Sequence, residues 1–147
     1  MTHLNSFTLT ELLIIIGIIG TLVLIGIPVF RNFQPTLQIN GITRELATDL
    51  RYAQQLSIAE QIAHGVRFFS LEDKYQIIRY GATEEILKER LLPEGIDFQQ
   101  ISGFTNDEIK FNPYGAAKEA GEVTLINSQN KTKAIEVKIS GFVKISQ

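Results

Sequence analysis

From Leu12 to Phe30 the chain runs nineteen residues without a charged side chain, and nearly all of them are Leu, Ile, Val or Gly. As a helix rising 1.5 Å per residue, this stretch spans roughly 28 Å, close to the hydrocarbon thickness of a bilayer. A cleaved secretory signal would want a basic n-region and a small-x-small site just after its apolar core. The residues there are Pro28-Val29-Phe30-Arg31-Asn32-Phe33, which offer no such site. The segment therefore reads as a retained membrane anchor.

The rest of the chain has another character. All fourteen Lys and Arg lie at Arg31 or later, and Glu11 is the single acid among the first thirty residues. Residues 31–147 thus carry fourteen bases against fifteen acids, the sixteen of the whole chain less Glu11. A balance of this kind gives no strong drive toward nucleic acid or anionic lipid. Cysteine is absent, which excludes disulfide staples, thiolate catalysis and thiolate metal sites.

Downstream of the anchor, Ile39, Ile42, Leu46, Leu50, Ala53 and Leu56 recur at steps of three and four, an amphipathic helical stripe. Arg44, Glu45, Thr48, Asp49, Arg51 and Gln55 fall on the other face and are expected in solvent. The pattern predicts one long helix from about Phe7 to about Ile62, kinked at Pro28 and Pro35. After His64-Gly65 the period becomes two. Strands are expected at 66–69, 74–80, 86–92 (alternatively a short helix), 96–101, 108–111, 123–126, 134–139 and 142–145. The last hairpin can be registered, because Ile135 and Val137 must share a face with Val143 and Ile145. A three-residue loop Ile139-Ser140-Gly141, with Gly141 left-handed, satisfies this and sets Glu136 opposite Lys144 as an ion pair. The fold class is α+β: a long N-terminal transmembrane and amphipathic helix packed on a C-terminal antiparallel β-sheet domain.

Glu11 is the residue most in need of a reason. A carboxylate at the edge of a membrane span is costly and usually has a partner. No cationic side chain lies within a helical turn, so the partner is another chain, the headgroup region or a new N-terminus nearby; alternatively Glu11 is simply interfacial. The string Ser6-Phe7-Thr8-Leu9-Thr10-Glu11-Leu12-Leu13 resembles the processing motif of type IV prepilins and pseudopilins. In that family a peptidase cuts before a Phe and methylates the new amine, and a Glu stands at the fifth mature position. Counted from Phe7, Glu11 falls at that position, and Gly20 and Pro28 fall where the family's helix has Gly and Pro. The resemblance implies cleavage between Ser6 and Phe7, N-methylation of Phe7, and assembly roles for Glu11, Gly20 and Pro28. Ser6 stands where the family usually has Gly, and the leader lacks Lys and Arg.

A narrower resemblance joins Arg44-Glu45-Leu46-Ala47-Thr48-Asp49-Leu50-Arg51-Tyr52-Ala53, the turn Phe111-Asn112-Pro113-Tyr114-Gly115 and the closing strands 121–145 to minor pseudopilins of the GspH/FimT family. It implies a leader at 1–6, an assembly helix at 7–30, and a periplasmic pilin-like domain at 31–147, helical over 31–62 and sheet over 64–147. It also implies a structural subunit, not an enzyme, at the tip or in the initiation of a type II secretion pseudopilus. The expected partners are other pilin-like subunits, the prepilin peptidase, the inner membrane and its assembly platform. Two alternatives remain: a minor pilin of a type IV pilus serving DNA uptake or adhesion, and a signal-anchored membrane protein that never polymerises. No cofactor or metal is expected. His64 reads as a packing or capping residue, and Glu72-Asp73 and Asp107-Glu108 read as turn carboxylates. Nucleic acid is not an expected partner, since the closing hairpin offers only Lys131, Lys133, Lys138 and Lys144 and no Arg follows Arg90.

Overall fold

The computed structural model describes residues 7–146. Its element order is one helix, α1 (Leu9–Glu60), followed by eight strands: β1 (Ala63–Phe69), β2 (Lys74–Tyr80), β3 (Glu84–Leu91), β4 (Ile96–Ser102), β5 (Glu108–Phe111), β6 (Gly121–Asn127), β7 (Thr132–Val137) and β8 (Val143–Ser146). Helical assignment runs through both Pro28 and Pro35 without a break. The helix stops at Gln61, whose backbone turns left-handed at φ 53°. Its side-chain amide donates back to the Ile58 carbonyl at 2.7 Å, satisfying one of the orphan acceptors of the last turn.

The described residues fall into two units, one ending at Gln34 and the other beginning at Pro35. The first is a bare helix. Leu9–Ile27 has a mean hydropathy of 2.5, and none of that window is buried. A fully exposed cylinder of Leu, Ile and Val requires lipid or other chains around it.

In the second unit the strands form two antiparallel four-stranded sheets, ordered β3-β2-β1-β5 and β4-β6-β7-β8. The sequence pattern predicts the strands but not their division, because β5 pairs back with β1 across more than forty residues, with Val66 opposite Ile109. Gly65 permits this pairing, since a Cβ there would stand 2.3 Å from the Ile109 carbonyl oxygen. The stretch expected at 86–92 is the strand β3, which begins two residues earlier and ends at Leu91, with a register shift where β2 and β3 pair.

Both sheets share one core with the helix. Ile39, Ile42, Leu46, Ala47, Leu50 and Ala53 meet Val66, Phe68, Tyr75, Ile77, Ile109 and Phe111 from the first sheet and Val123, Leu125, Ile135, Val137 and Val143 from the second. The sheets also touch each other directly, with Phe68 and Phe98 edge to face at 5.5 Å. Each fully buried Leu or Ile contributes roughly 1.5–3 kcal/mol, so the helical stripe alone is a large part of what holds the unit together.

The closing hairpin has the expected register, with Glu136 opposite Lys144 and Val137 opposite Val143. Gly141 takes the left-handed turn position at φ 82°, and the Gly141 amide donates to the Lys138 carbonyl at 2.8 Å. The expected ion pair is not made: among the described residues, no salt bridge joins Glu136 to Lys144, although the two stand opposite each other. Both side chains stand on the solvated face, where extending into water costs less than holding one geometry.

Candidate assembly site

Thr8 and Glu11 form a capping box at the start of α1. The Thr8 hydroxyl oxygen accepts from the Glu11 amide at 3.2 Å. Glu11 Oε2 in turn accepts from the Thr8 amide and the Thr8 hydroxyl, both at 3.3 Å. Two orphan donors of the helix terminus are thereby satisfied reciprocally. Glu11 thus has a polar neighbour that is not a cation, and Thr-x-x-Glu before an apolar run is a sequence signal for it in its own right. A carboxylate at the positive end of the helix dipole is stabilised further.

Phe7 stands immediately before the cap with its side chain 69% exposed. Gly20 and Pro28 lie roughly 14 and 26 Å beyond Glu11 along the helix axis at 1.5 Å per residue. The space where Gly20 would carry a Cβ is open. The structure therefore brings Phe7, Thr8 and Glu11 together in one turn and leaves Gly20 and Pro28 further along the same helix. Ser6 lies outside the described residues.

In the second unit, helix and first sheet are clamped by polar side chains that the apolar pattern misplaces. Asp49 is 5% exposed, not solvated. It accepts the Tyr75 hydroxyl at 2.8 Å and the Lys88 ammonium at 2.7 Å. Arg90 lies on Glu45 at 2.6 Å one turn earlier. One turn past Gln61, His64 is fully buried, with its amide on the Ser57 hydroxyl at 3.0 Å and Nδ1 at 2.9 Å from the Ile62 carbonyl. It acts as a packing and junction residue, as its place in the sequence suggests.

The opposite face of the first sheet carries a second polar group. Arg67 bridges Glu108 at 2.8 Å and Glu84 at 3.1 Å, and Lys110 sits 3.6 Å above the Tyr80 ring. The Tyr80 hydroxyl is buried next to the Glu108 carboxylate. Burial opposes ionisation of Glu108, yet Tyr80, Arg67 and Lys110 together outweigh it and hold that carboxyl below its ordinary value. These ion pairs run from β1 to its neighbour β5, across β2 to Glu84 of β3, and within β5 itself. Among the described residues no cluster of three or more acids and His gathers to hold a metal.

The turn Phe111-Asn112-Pro113-Tyr114-Gly115 joins these parts. Asn112 Oδ1 accepts from the amides of Tyr114 at 2.9 Å and Ala116 at 3.1 Å, an Asx turn. Beyond it the Ala117 amide reaches the Ile139 carbonyl of the last hairpin at 2.9 Å, and Gln54 of the helix donates to the Gly115 carbonyl at 2.7 Å. Helix, first sheet and second sheet meet at this turn. The family profile described as type II transport protein GspH matches residues 43–141, from the helical stripe through the Asx turn to Gly141.

The chain belongs to the GspH family.

Its fold is similar to that of the minor pseudopilin EpsH from the type 2 secretion system of Vibrio cholerae, with a TM-score of 0.64 at 9% identity over 74% of this chain and 96% of that one. It is also similar to the type IV minor pilin FimU of Pseudomonas aeruginosa strain PAO1, with a TM-score of 0.61 at 10% identity over 78% of this chain and 92% of that one. At such identities the likeness is one of fold. No curated protein sequence matches the chain. The GspH-family segment begins at Thr43, so the anchor and the Thr8–Glu11 cap lie outside the matched residues. Family and fold are those of pilin-like structural subunits that associate with other such subunits.

Proposed function

We propose that the chain is a minor subunit of a type II secretion pseudopilus, cut between Ser6 and Phe7 and held in the inner membrane by residues 7–30, with residues 31–147 in the periplasm. The match of residues 43–141 to a type II transport family is the observation that carries this reading. The exposed apolar helix supports it, because Leu9–Ile27 has no covering surface within its own unit and needs lipid or neighbouring subunits. In this reading the prepilin peptidase removes the leader, Phe7 gains an N-methylated ammonium, and Glu11 of one subunit pairs with the Phe7 ammonium of the next. Such a pair sets axial register more than stability, since a misplaced subunit leaves a buried charge alone. Gly20 allows close helix approach, Pro28 gives the assembly helix a point of bending, and the assembly platform receives the processed subunit at the tip or at initiation.

Intact mass of the protein isolated from its own membrane tests the reading. A species of 141 residues, the 147 of the chain less the six of the leader, with one added methyl group supports it. A chain that keeps its first six residues in that membrane would overturn the reading and leave a plain signal-anchored protein.

The likeness to FimU favours a second reading, a minor pilin of a type IV pilus. DNA uptake in that setting would draw on the hairpin lysines. Lys131 is engaged by Thr36 at 2.8 Å, and Lys133 shares a strand face with the core residues Ile135 and Val137. Lys138 and Lys144 remain as exposed hairpin cations without such an engagement, a short track for a polyanion whose affinity grows with each phosphate neutralised.

A further inference from the structure

Charge is paired unevenly across the second unit. Arg67, Lys74, Arg79, Lys88, Arg90 and Lys110, all on the first sheet, each have a carboxylate oxygen at 3.1 Å or closer. Arg44 of the helix and Lys133 of β7 make no ion pair among the described residues. Lys133 also occupies an unusual position. It pairs with Leu125 across β6 and β7, and its register puts it on the core-facing side with Ile135 and Val137, where Lys seldom goes without a partner.

Lys133 opens into a crevice of about 250 Å³ between α1 and the second sheet, lined by Asn40, Thr43, Arg44, Lys133 and Ile145. Asn40 and Arg44 are one helical turn apart on the same stripe. The Asn40 side chain is half-buried and has no hydrogen-bond partner among the described residues. The Thr43 hydroxyl is already spent on the Ile39 carbonyl at 2.6 Å. Three donor-bearing side chains, the half-buried Asn40 and Lys133 and the exposed Arg44, thus line one small space without a carboxylate among its lining residues. Ile145 makes one wall apolar, which strengthens any charge-assisted hydrogen bond formed there.

We infer that the Asn40–Arg44–Lys133 crevice binds a compact phosphate-type oxyanion, either free phosphate or the headgroup of an anionic phospholipid. The planar guanidinium suits two phosphate oxygens at once, and the ammonium and amide are available for the others. A duplex is a poor occupant, because the crevice is small and a polyanion needs a track of cations beyond it.

The test is calorimetric titration of inorganic phosphate, at fixed ionic strength, into the full chain in neutral detergent. One saturable site is expected, with Arg44→Gln and Lys133→Gln each weakening it about tenfold. Lys138→Gln, an exposed lysine on the same hairpin, should leave it unchanged. Neither Arg44 nor Lys133 holds an internal ion-pair partner, so the variants should keep the wild-type circular dichroism, and Asn40→Leu, which removes the amide, gives a second way to abolish binding. Mixed micelles then separate the sources. Phosphatidylglycerol that competes with phosphate, where phosphatidylcholine does not, identifies a lipid headgroup; phosphate binding indifferent to both identifies the free anion. No saturable phosphate binding, or equal loss in Lys138→Gln, overturns the inference. So does a DNA duplex that binds through Arg44 and Lys133 when phosphate does not.

Discussion

Tyr75 donates its hydroxyl proton to Asp49 across 2.8 Å, joining the second strand to the middle of the helix at a point where both residues are buried. The carboxylate's other oxygen is held by Lys88 at 2.7 Å. The pair lies among Leu46, Leu50 and Ile77, so its satisfaction is a condition of packing the first sheet on the helix.

Asp49→Ala should therefore cost about 2–4 kcal/mol, since it strands a buried hydroxyl and a partly buried ammonium together. Tyr75→Phe should cost about 1–2 kcal/mol, because Lys88 still compensates Asp49. Denaturant unfolding of both variants measures the two values, and equal losses would mean that Lys88 contributes nothing.

Sequence and structure part company at this same residue. The stripe Ile39 to Ala53 is legible because apolar side chains at helical spacing have one economical place to go, and the hairpin register is legible because a slip of one residue would turn Ile135 and Val137 outward. Asp49 is not legible by that logic. It borders the stripe, and what buries it is a tyrosine and a lysine from strands 26 and 39 residues away. The division into two sheets is hidden for the same reason, since the β1–β5 pairing depends on a close approach at Gly65 that no local pattern announces. At the N-terminus the reverse holds. The Thr8–Glu11 cap is wholly local, and its partner is a hydroxyl and an amide rather than the cation that a membrane carboxylate usually takes.

Stability should fall on the alkaline side. Burial, reinforced by the Asp49 carboxylate, pushes the Tyr75 phenol above its ordinary value of 10.0. Burial and the neighbouring Glu108 do the same for Tyr80. A raised folded-state value means that the native chain holds the phenol proton more tightly than the unfolded chain. The resulting stability is complete below about pH 10 and declines above it, by up to about 1.4 kcal/mol per pH unit for each group. Urea midpoints at pH 9, 10 and 11 should show this decline, and Tyr75→Phe should lessen it. An unchanged slope in that variant would remove Tyr75 from the explanation. For Glu108, whose value is lowered below 4.5, the sign is opposite: its contribution is present above about pH 4.5 and is lost in acid.

Gly141→Ala should be among the most damaging single-methyl changes. Gly141 has φ 82°, and a Cβ there would stand 2.0 Å from the Gly115 carbonyl and 2.3 Å from the Gln54 amide nitrogen. Both belong to the contact that joins the Asx turn to the helix. A loss of about 3 kcal/mol or more is expected from strain and displacement together. Thermal melting would record it, whereas Ser140→Ala in the exposed part of the same loop should change little.

The N-terminal cap allows the two roles open to Glu11 to be separated. As a cap, Glu11 needs only an acceptor oxygen for the Thr8 amide and hydroxyl, and glutamine serves as well as glutamate at that position of a capping box. As the partner of a neighbouring Phe7 ammonium, it needs a negative charge. Glu11→Gln should thus keep the first turn of the helix while abolishing efficient filament incorporation, as Glu11→Ala should too. Thr8→Val should weaken the cap by about 1 kcal/mol and leave the charge available, so it should still be processed and incorporated. The measurement is the amount of each variant recovered in sheared filaments relative to membrane. Wild-type incorporation of Glu11→Gln, with loss in Thr8→Val, would make the carboxylate a helix cap and nothing more.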